Sequence, residues 1–213
     1  MIQEDFLKWK GQLRYAIPVL LILFLLSCRV QPTETREQEV MEQEQINQQP
    51  INQQSTEVIT MKLTSPAFEH NGKIPSRYTC DGANVNPPLK IEDIPSTAKS
   101  MVLIMDDPDI PQLVKDKYGI QVWDHWVVFN IPSATKEFIE GQVPSGIQGK
   151  NTGGKNAYGG PCPPDREHRY FFKLYALDTL LNLPAGVTKA EVEKAMEGRI
   201  LAKIELVGRY KRV

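Results

Sequence analysis

Residues 158–178 read YGGPCPPDREHRYFFKLYALD, a rigid turn that runs straight into a strand. Gly159 and Gly160 open backbone angles closed to other residues, while Pro161, Pro163 and Pro164 fix φ and remove amide donors. The segment therefore belongs in a loop. From His168 the pattern alternates: His168, Tyr170, Phe172, Leu174 and Ala176 share one face, and Arg169, Phe171, Lys173, Tyr175 and Leu177 the other. Both faces are largely apolar, which predicts an inner strand. His168 and Tyr170 then point the same way at the strand's mouth, beside a Gly-Gly backbone that a ligand could approach closely, so this corner reads as one wall of a small pocket.

Working outward, short β-like runs broken by Pro, Gly, Asn and Asp clusters fill the chain from Met61 onward. They predict strands over 62–65, 76–80, 89–91, 100–106, 125–131, 169–177 and 200–209, an antiparallel sandwich. Thr188 with Glu191 three residues on makes a capping-box pattern, so one helix follows, with Val192, Ala195, Met196 and Ile200 on one side. SMVLIMDDPDIP at 100–111 is a buried-type strand stopped by Pro108 in an acidic turn. Asp107 or Asp109 taken alone would serve only to satisfy local backbone donors. WDHWVVFNIP at 123–132 is a second apolar strand, predicted to carry His125, Val127, Phe129 and Ile131 on one face. A histidine in such a run is ordinarily a satisfied core residue; what lifts it is that His125 and His168, of only three histidines, both begin apolar strands.

The 213 residues carry a formal net charge of −1 and 24% charged side chains, which fits one domain with appendages and excludes a nucleic-acid binder. Residues 1–28 have a signal peptide's layout: Lys8, Lys10 and Arg14, the apolar run from Ala16 to Leu26, then Ser27 and Cys28. The run is too short for the ~20 residues of a spanning helix. Residues 29–60 hold eight Gln, six Glu and two Arg without an aromatic residue, too little apolar surface to offset chain entropy, so they are expected to form a flexible tether. The folded domain spans 61–213.

DPDIP at 107–111, DHW at 124–126, GGPCPP at 159–164 and HRY at 168–170 together resemble the phosphatidylethanolamine-binding protein family, in its prokaryotic, Raf-kinase-inhibitor-like branch. SPAF at 65–68, IPSRYTCDGANVNPPL at 74–89 and FFKLYALD at 171–178 resemble it too. The resemblance implies a mostly β, Greek-key antiparallel sandwich with one or two short helices and a small pocket for phosphate and similar anions. It also implies the pocket residues Asp107, His125, Gly160, His168 and Tyr170, with Asp109 and Pro161 shaping the rim. Two imidazoles, a phenol and a glycine amide are donors suited to an anion, and Asp107 would orient a histidine or accept from a ligand ammonium group. Cationic imidazoles would make binding weaken as pH rises through their titration. The chain ends after its last predicted strand, without the C-terminal helix of eukaryotic relatives, which sets their kinase-regulatory role apart.

Leu25-Leu26-Ser27-Cys28 resembles a prokaryotic lipobox, which implies lipidation of Cys28 and anchoring of the domain at the extracytoplasmic face of the cell membrane; an N-terminal signal anchor is the alternative. The expected function is a membrane-tethered binding module for small anions or phosphorylated head groups, without turnover, cofactor or metal. An inhibitor or regulator of a protease- or kinase-type partner is the alternative, and a hydrolase using Cys162 and His168 a weaker one. Asp107, His125 and His168 are ligand types that suit Fe or Zn, but their spacing matches no compact metal motif. With Cys28 lipidated, Cys80 and Cys162 remain, open between a disulfide and two small buried thiols.

Overall fold

The computed structural model describes residues 60–212; the expected signal peptide over 1–28, Cys28 and the expected tether over 29–60, save Thr60, lie outside the described residues. Among the described residues nine strands form two sheets: β1 (Lys62–Thr64), β2 (Gly72–Lys73), β3 (Leu89–Glu92), β4 (Ser100–Asp107), β5 (Trp123–Pro132), β6 (Glu137–Phe138), β7 (Ile147–Gln148), β8 (His168–Leu177) and β9 (Ile200–Tyr210). The small sheet has the order β1-β3-β6 and the large one β2-β9-β8-β4-β5-β7. Pairing is antiparallel except for β2, which joins β9 in parallel at Gly208 and Arg209. The chain is thus mostly β, with α1 (Gln112–Tyr118) and α2 (Lys189–Met196).

The large sheet is buried on both faces. Leu103, Trp126, Tyr170 and Phe172 from one face share a core cluster with Leu63, Ile91 and Phe138 of the small sheet. On the other face Val102, Ile104, Val127, Phe129 and Tyr175 cluster with Val192 and Met196 of α2. This two-sided burial is why β8, held between β9 and β4, is apolar on both faces, as its alternation predicts. The α2 cap is the predicted one: the Thr188 side chain accepts from the Glu191 amide, and the Glu191 carboxylate accepts from the Thr188 amide. Ile200 lies outside the helix and opens β9 instead.

Three expectations change. Residues 76–80 are not a strand: Ser76–Tyr78 form a 3-10 turn, in which the Thr79 amide and hydroxyl both return to the Ser76 carbonyl. Helix α1 is unannounced by any apolar stripe, because none of its residues is buried; its sequence marks are Pro111 before it and Gly119, in the left-handed region, after it. The third change concerns β5. Its register against β4 slips twice, so that Met105 faces Trp126 while Asp106 faces Asp124, and Met101 faces Ile131 while Leu103 faces Val128. Each slip inserts one residue and turns the chain over. Val127 and Phe129 therefore sit in the α2-facing cluster while Ile131 sits in the intersheet core, and the first slip falls on His125.

Candidate functional site

Strand β4 ends, and β5 and β8 begin, at the same end of the large sheet. There, with the 108–122 and 149–167 connections, they enclose a cavity of about 340 Å³. Asp107, His125, Gly160 and His168 line it. Tyr170 lies behind the two imidazoles, with ring centroids 5.2 Å from His125 and 6.5 Å from His168; its Oη is buried and makes no hydrogen bond. Asp109 and Pro161 stand outside the lining. Asp109 grips Arg169 through Nε at 2.8 Å and Nη2 at 2.7 Å, which holds its carboxyl at about 2. The Pro161 carbonyl accepts from the Cys80 amide.

His125 owes its place to the bulge. Regular alternation would have turned it towards α2 with Val127; the inserted residue re-aims it at the cavity. Its backbone carbonyl accepts from the Gly159 amide, and its Nδ1 donates to the Gly159 carbonyl at 2.7 Å. Burial lowers its pKa to about 4, so the ring is neutral at pH 7 and Nε2 is an acceptor. This corrects the picture of two cationic imidazoles. The Gly160 amide is likewise unavailable to a ligand, because it donates to Asn84 Oδ1 at 2.7 Å. Neither Gly159 nor Gly160 has positive φ. Gly160 is glycine for lack of room: a Cβ there would stand 2.5 Å from the Tyr78 carbonyl oxygen and 2.6 Å from Asn84 Oδ1.

His168 is bracketed by carboxylates. Nδ1 lies 2.7 Å from Asp107 Oδ2 and Nε2 2.8 Å from Asp165 Oδ1, both at hydrogen-bond distance. Burial raises the pKa of Asp107, against the opposing pull of His168 and the Asp109 amide. Its neighbour Asp106 points to the opposite face, where Oδ2 accepts from Lys173 at 2.7 Å and Lys189 at 3.3 Å; Lys189 also reaches Asp124 Oδ1 at 2.6 Å. Adjacent aspartates on an alternating strand thus serve different purposes: Asp107 shapes the cavity and Asp106 pins the start of α2 to the sheet.

Cys162 lines the cavity and is disulfide-bonded to Cys80, with Cα atoms 5.4 Å apart. The bond removes the thiolate that a Cys162 hydrolase requires, which overturns that alternative. Among the described residues no group of three or more His, Cys, Asp and Glu side chains is placed to hold a metal ion.

Sequence reasoning missed several cavity residues. Trp123, Ile110, Pro111 and Val114 form an apolar side, the last three because α1 was unforeseen. Asn151 shapes the 151–157 loop, accepting from the Lys155 amide and donating to the Ala157 carbonyl, and the loop sets Lys155 at the cavity with an ammonium that makes no hydrogen bond or ion pair. The available signal was a lysine and an asparagine in the Gly- and Asn-rich run GKNTGGKNAYGG at 149–160. For Asp165, which contacts His168 Nε2 without lining the cavity, it was the three-residue spacing to His168.

The chain is similar to known proteins. Residues 64–211 match the family described as phosphatidylethanolamine-binding protein. A UPF0098 protein of Methanothermobacter thermautotrophicus is 49% identical over 158 residues, covering 71% of this chain and 99% of that protein. A UPF0098 protein of Chlamydia pneumoniae is 43% identical over 152 residues, with coverage of 71% and 99%. Among solved structures, a putative phosphatidylethanolamine-binding protein homolog from Chlamydia trachomatis matches with a TM-score of 0.70 at 43% identity, covering 73% of this chain and 99% of that one. E. coli YbcL, described as a member of the mammalian family of the same name, matches with a TM-score of 0.64 at 27% identity, covering 72% and 99%.

Proposed function

The chain belongs to the phosphatidylethanolamine-binding protein family, and from that premise we propose that the cavity binds small phosphate-type anions, free or as phosphorylated head groups, without turning them over. The observation that carries the reading is the convergence of Asp107, His125 and His168 on one cavity, with the Tyr170 hydroxyl buried beside them and lacking a partner. A buried hydroxyl without a hydrogen bond costs about 1–3 kcal/mol, a deficit that an oxyanion reaching past the imidazoles would remove. Lys155 adds a cation at the cavity wall. The neutral His125 refines the ligand: with Nδ1 committed to Gly159, its Nε2 needs a donor, which a hydrogen phosphate hydroxyl or an ammonium group supplies and a fully deprotonated simple anion does not.

Side-chain NMR of the three residues tests this. Inorganic phosphate and phosphoethanolamine should shift His125, His168 and Tyr170 saturably at millimolar concentration. Signals that stay in place with both ligands would end the anion reading and leave a protein-partner role as the surviving one.

For the N-terminus, we propose that the mature chain begins at a lipidated Cys28 and that residues 29–60 tether the domain to the outer face of a membrane. The support is the basic, apolar and Leu-Leu-Ser-Cys order of residues 1–28. A flexible run of that length spans ~30 Å root-mean-square, enough to let the domain move clear of the lipid surface. Mass spectrometry of the membrane fraction reads the outcome directly: a diacylated Cys28 N-terminus is expected, and an unmodified Cys28 within a longer chain would leave a signal anchor instead.

A further inference from the structure

His168 lines the cavity, yet its side chain has 0% solvent exposure. Both ring nitrogens are occupied. Asp107, with 4% exposure, is a fixed partner inside the wall, whereas Asp165 is 40% exposed and sits in the turn between Pro164 and the start of β8. Asp165 is therefore the one group whose departure would bare His168 Nε2. Its own anchoring is partial: Arg166 Nη1 lies 2.7 Å from Asp165 Oδ2, the Arg166 amide donates to Oδ1, and Arg166 Nη2 is tied at 2.9 Å to the Asp109 carbonyl. Chemically, Asp165 is an acetate-like anion already seated on the imidazole.

We propose that Asp165 is a built-in competitor for His168, the side chain an incoming anion must displace, and hence a specificity-determining residue that admits phosphate-type anions and turns away simple carboxylates. The inference rests on the anion-binding reading above and deepens it.

The selectivity follows from competition between like groups. A tethered carboxylate counts as a local ligand at an effective concentration on the order of millimolar or higher. Acetate offers His168 the same two oxygens at the same charge, so it has no advantage over Asp165. A phosphate dianion brings a second charge and further oxygens, to which Lys155 at the cavity wall can donate once it replaces the carboxylate on Nε2. Part of Asp165's charge is already met by Arg166, so the internal contact is weaker than an isolated carboxylate–imidazole pair and can yield. The hydrogen bond to His168 heads the causes that hold the Asp165 carboxyl below its usual range, as the contact geometry requires.

The test compares the full chain with Asp165→Ser, which is too short to reach Nε2, and Asp165→Asn, which keeps the reach and loses the charge. Acetate, inorganic phosphate and glycerophosphoethanolamine are titrated against the His168 Nε2 signal. The last two distinguish the free ion from a lipid head group as the source of the phosphate, whichever binds more tightly being the better match. Asp165→Ser is expected to bind the preferred phosphate compound about tenfold more tightly, the loss of one charge-assisted competitor, with Asp165→Asn between it and the unaltered protein. Acetate, silent against the unaltered protein, should become a measurable ligand of Asp165→Ser. Phosphate binding that is unchanged or weakened in Asp165→Ser, or acetate that remains silent there, overturns the competitor and leaves the anion cavity standing. Phosphate that moves no signal in any of the three proteins overturns both.

Discussion

His125 carries the sharpest conflict between burial and charge in the cavity, and its consequence is measurable. An unfolded histidine titrates near 6.5. In the folded chain burial sets His125 at about 4. Between those two values the unfolded chain takes up a proton that the folded chain refuses. Stability present above about pH 6.5 is therefore lost as pH falls towards 4, by on the order of 3 kcal/mol. Urea unfolding across that range should show the loss, and His125→Asn should remove this part of the slope. His168 raises the opposite problem. Replacing it with Ala leaves the buried Asp107 without its hydrogen-bond partner, so His168→Ala should lose about 1–3 kcal/mol of stability, part of which Asp107→Asn in the same chain restores. Both histidines and Asp107 were legible in the sequence as residue types at strand ends. Their protonation and partners were not: that Gly159 rather than Gly160 holds His125, and that Asp165 closes on His168, depends on how two loops fold back on the strands.

Among the elements, alternation served where a strand stays regular and failed where it does not. Strand β8 presents the two faces its sequence announces, whereas the register slips of β5 are invisible to a period-two reading, and one of them is what delivers His125 to the cavity. Helix α1, which has no fully buried residue, leaves no periodic trace, and only its Pro111 and Gly119 brackets could have revealed it. Helix α2 was legible because its cap is chemical: Thr188→Ala should cost about 1 kcal/mol in denaturant unfolding, with no effect on the cavity. The two glycines at the cavity separate by the same measurement. A Cβ at Gly160 would meet backbone that cannot swing aside, so Gly160→Ala should destabilise by about 1–3 kcal/mol. At Gly159 the closest neighbours stand 3.3 Å and 3.6 Å away, and Gly159→Ala should cost clearly less.

At the scale of the whole molecule, the family match and the mostly β architecture agree with the motif set read from the sequence, since DPDIP, DHW, GGPCPP and HRY are the strand ends and loops that gather at one end of the large sheet. What sequence left open was the state of Cys80 and Cys162, because separation in space cannot be read from a separation of 82 residues along the chain. Their bond ties the 3-10 turn to the cavity loop, and reduction should lower stability by about 2–4 kcal/mol, seen as an earlier thermal transition in dithiothreitol. The bond also governs how the protein should be prepared. Material produced in a thiol-reducing cytoplasm would start with two half-cystines open, one of them in the cavity wall and both at exposed residues. Differences in ligand affinity between batches would then follow air oxidation during purification, and a free-thiol assay belongs before any titration.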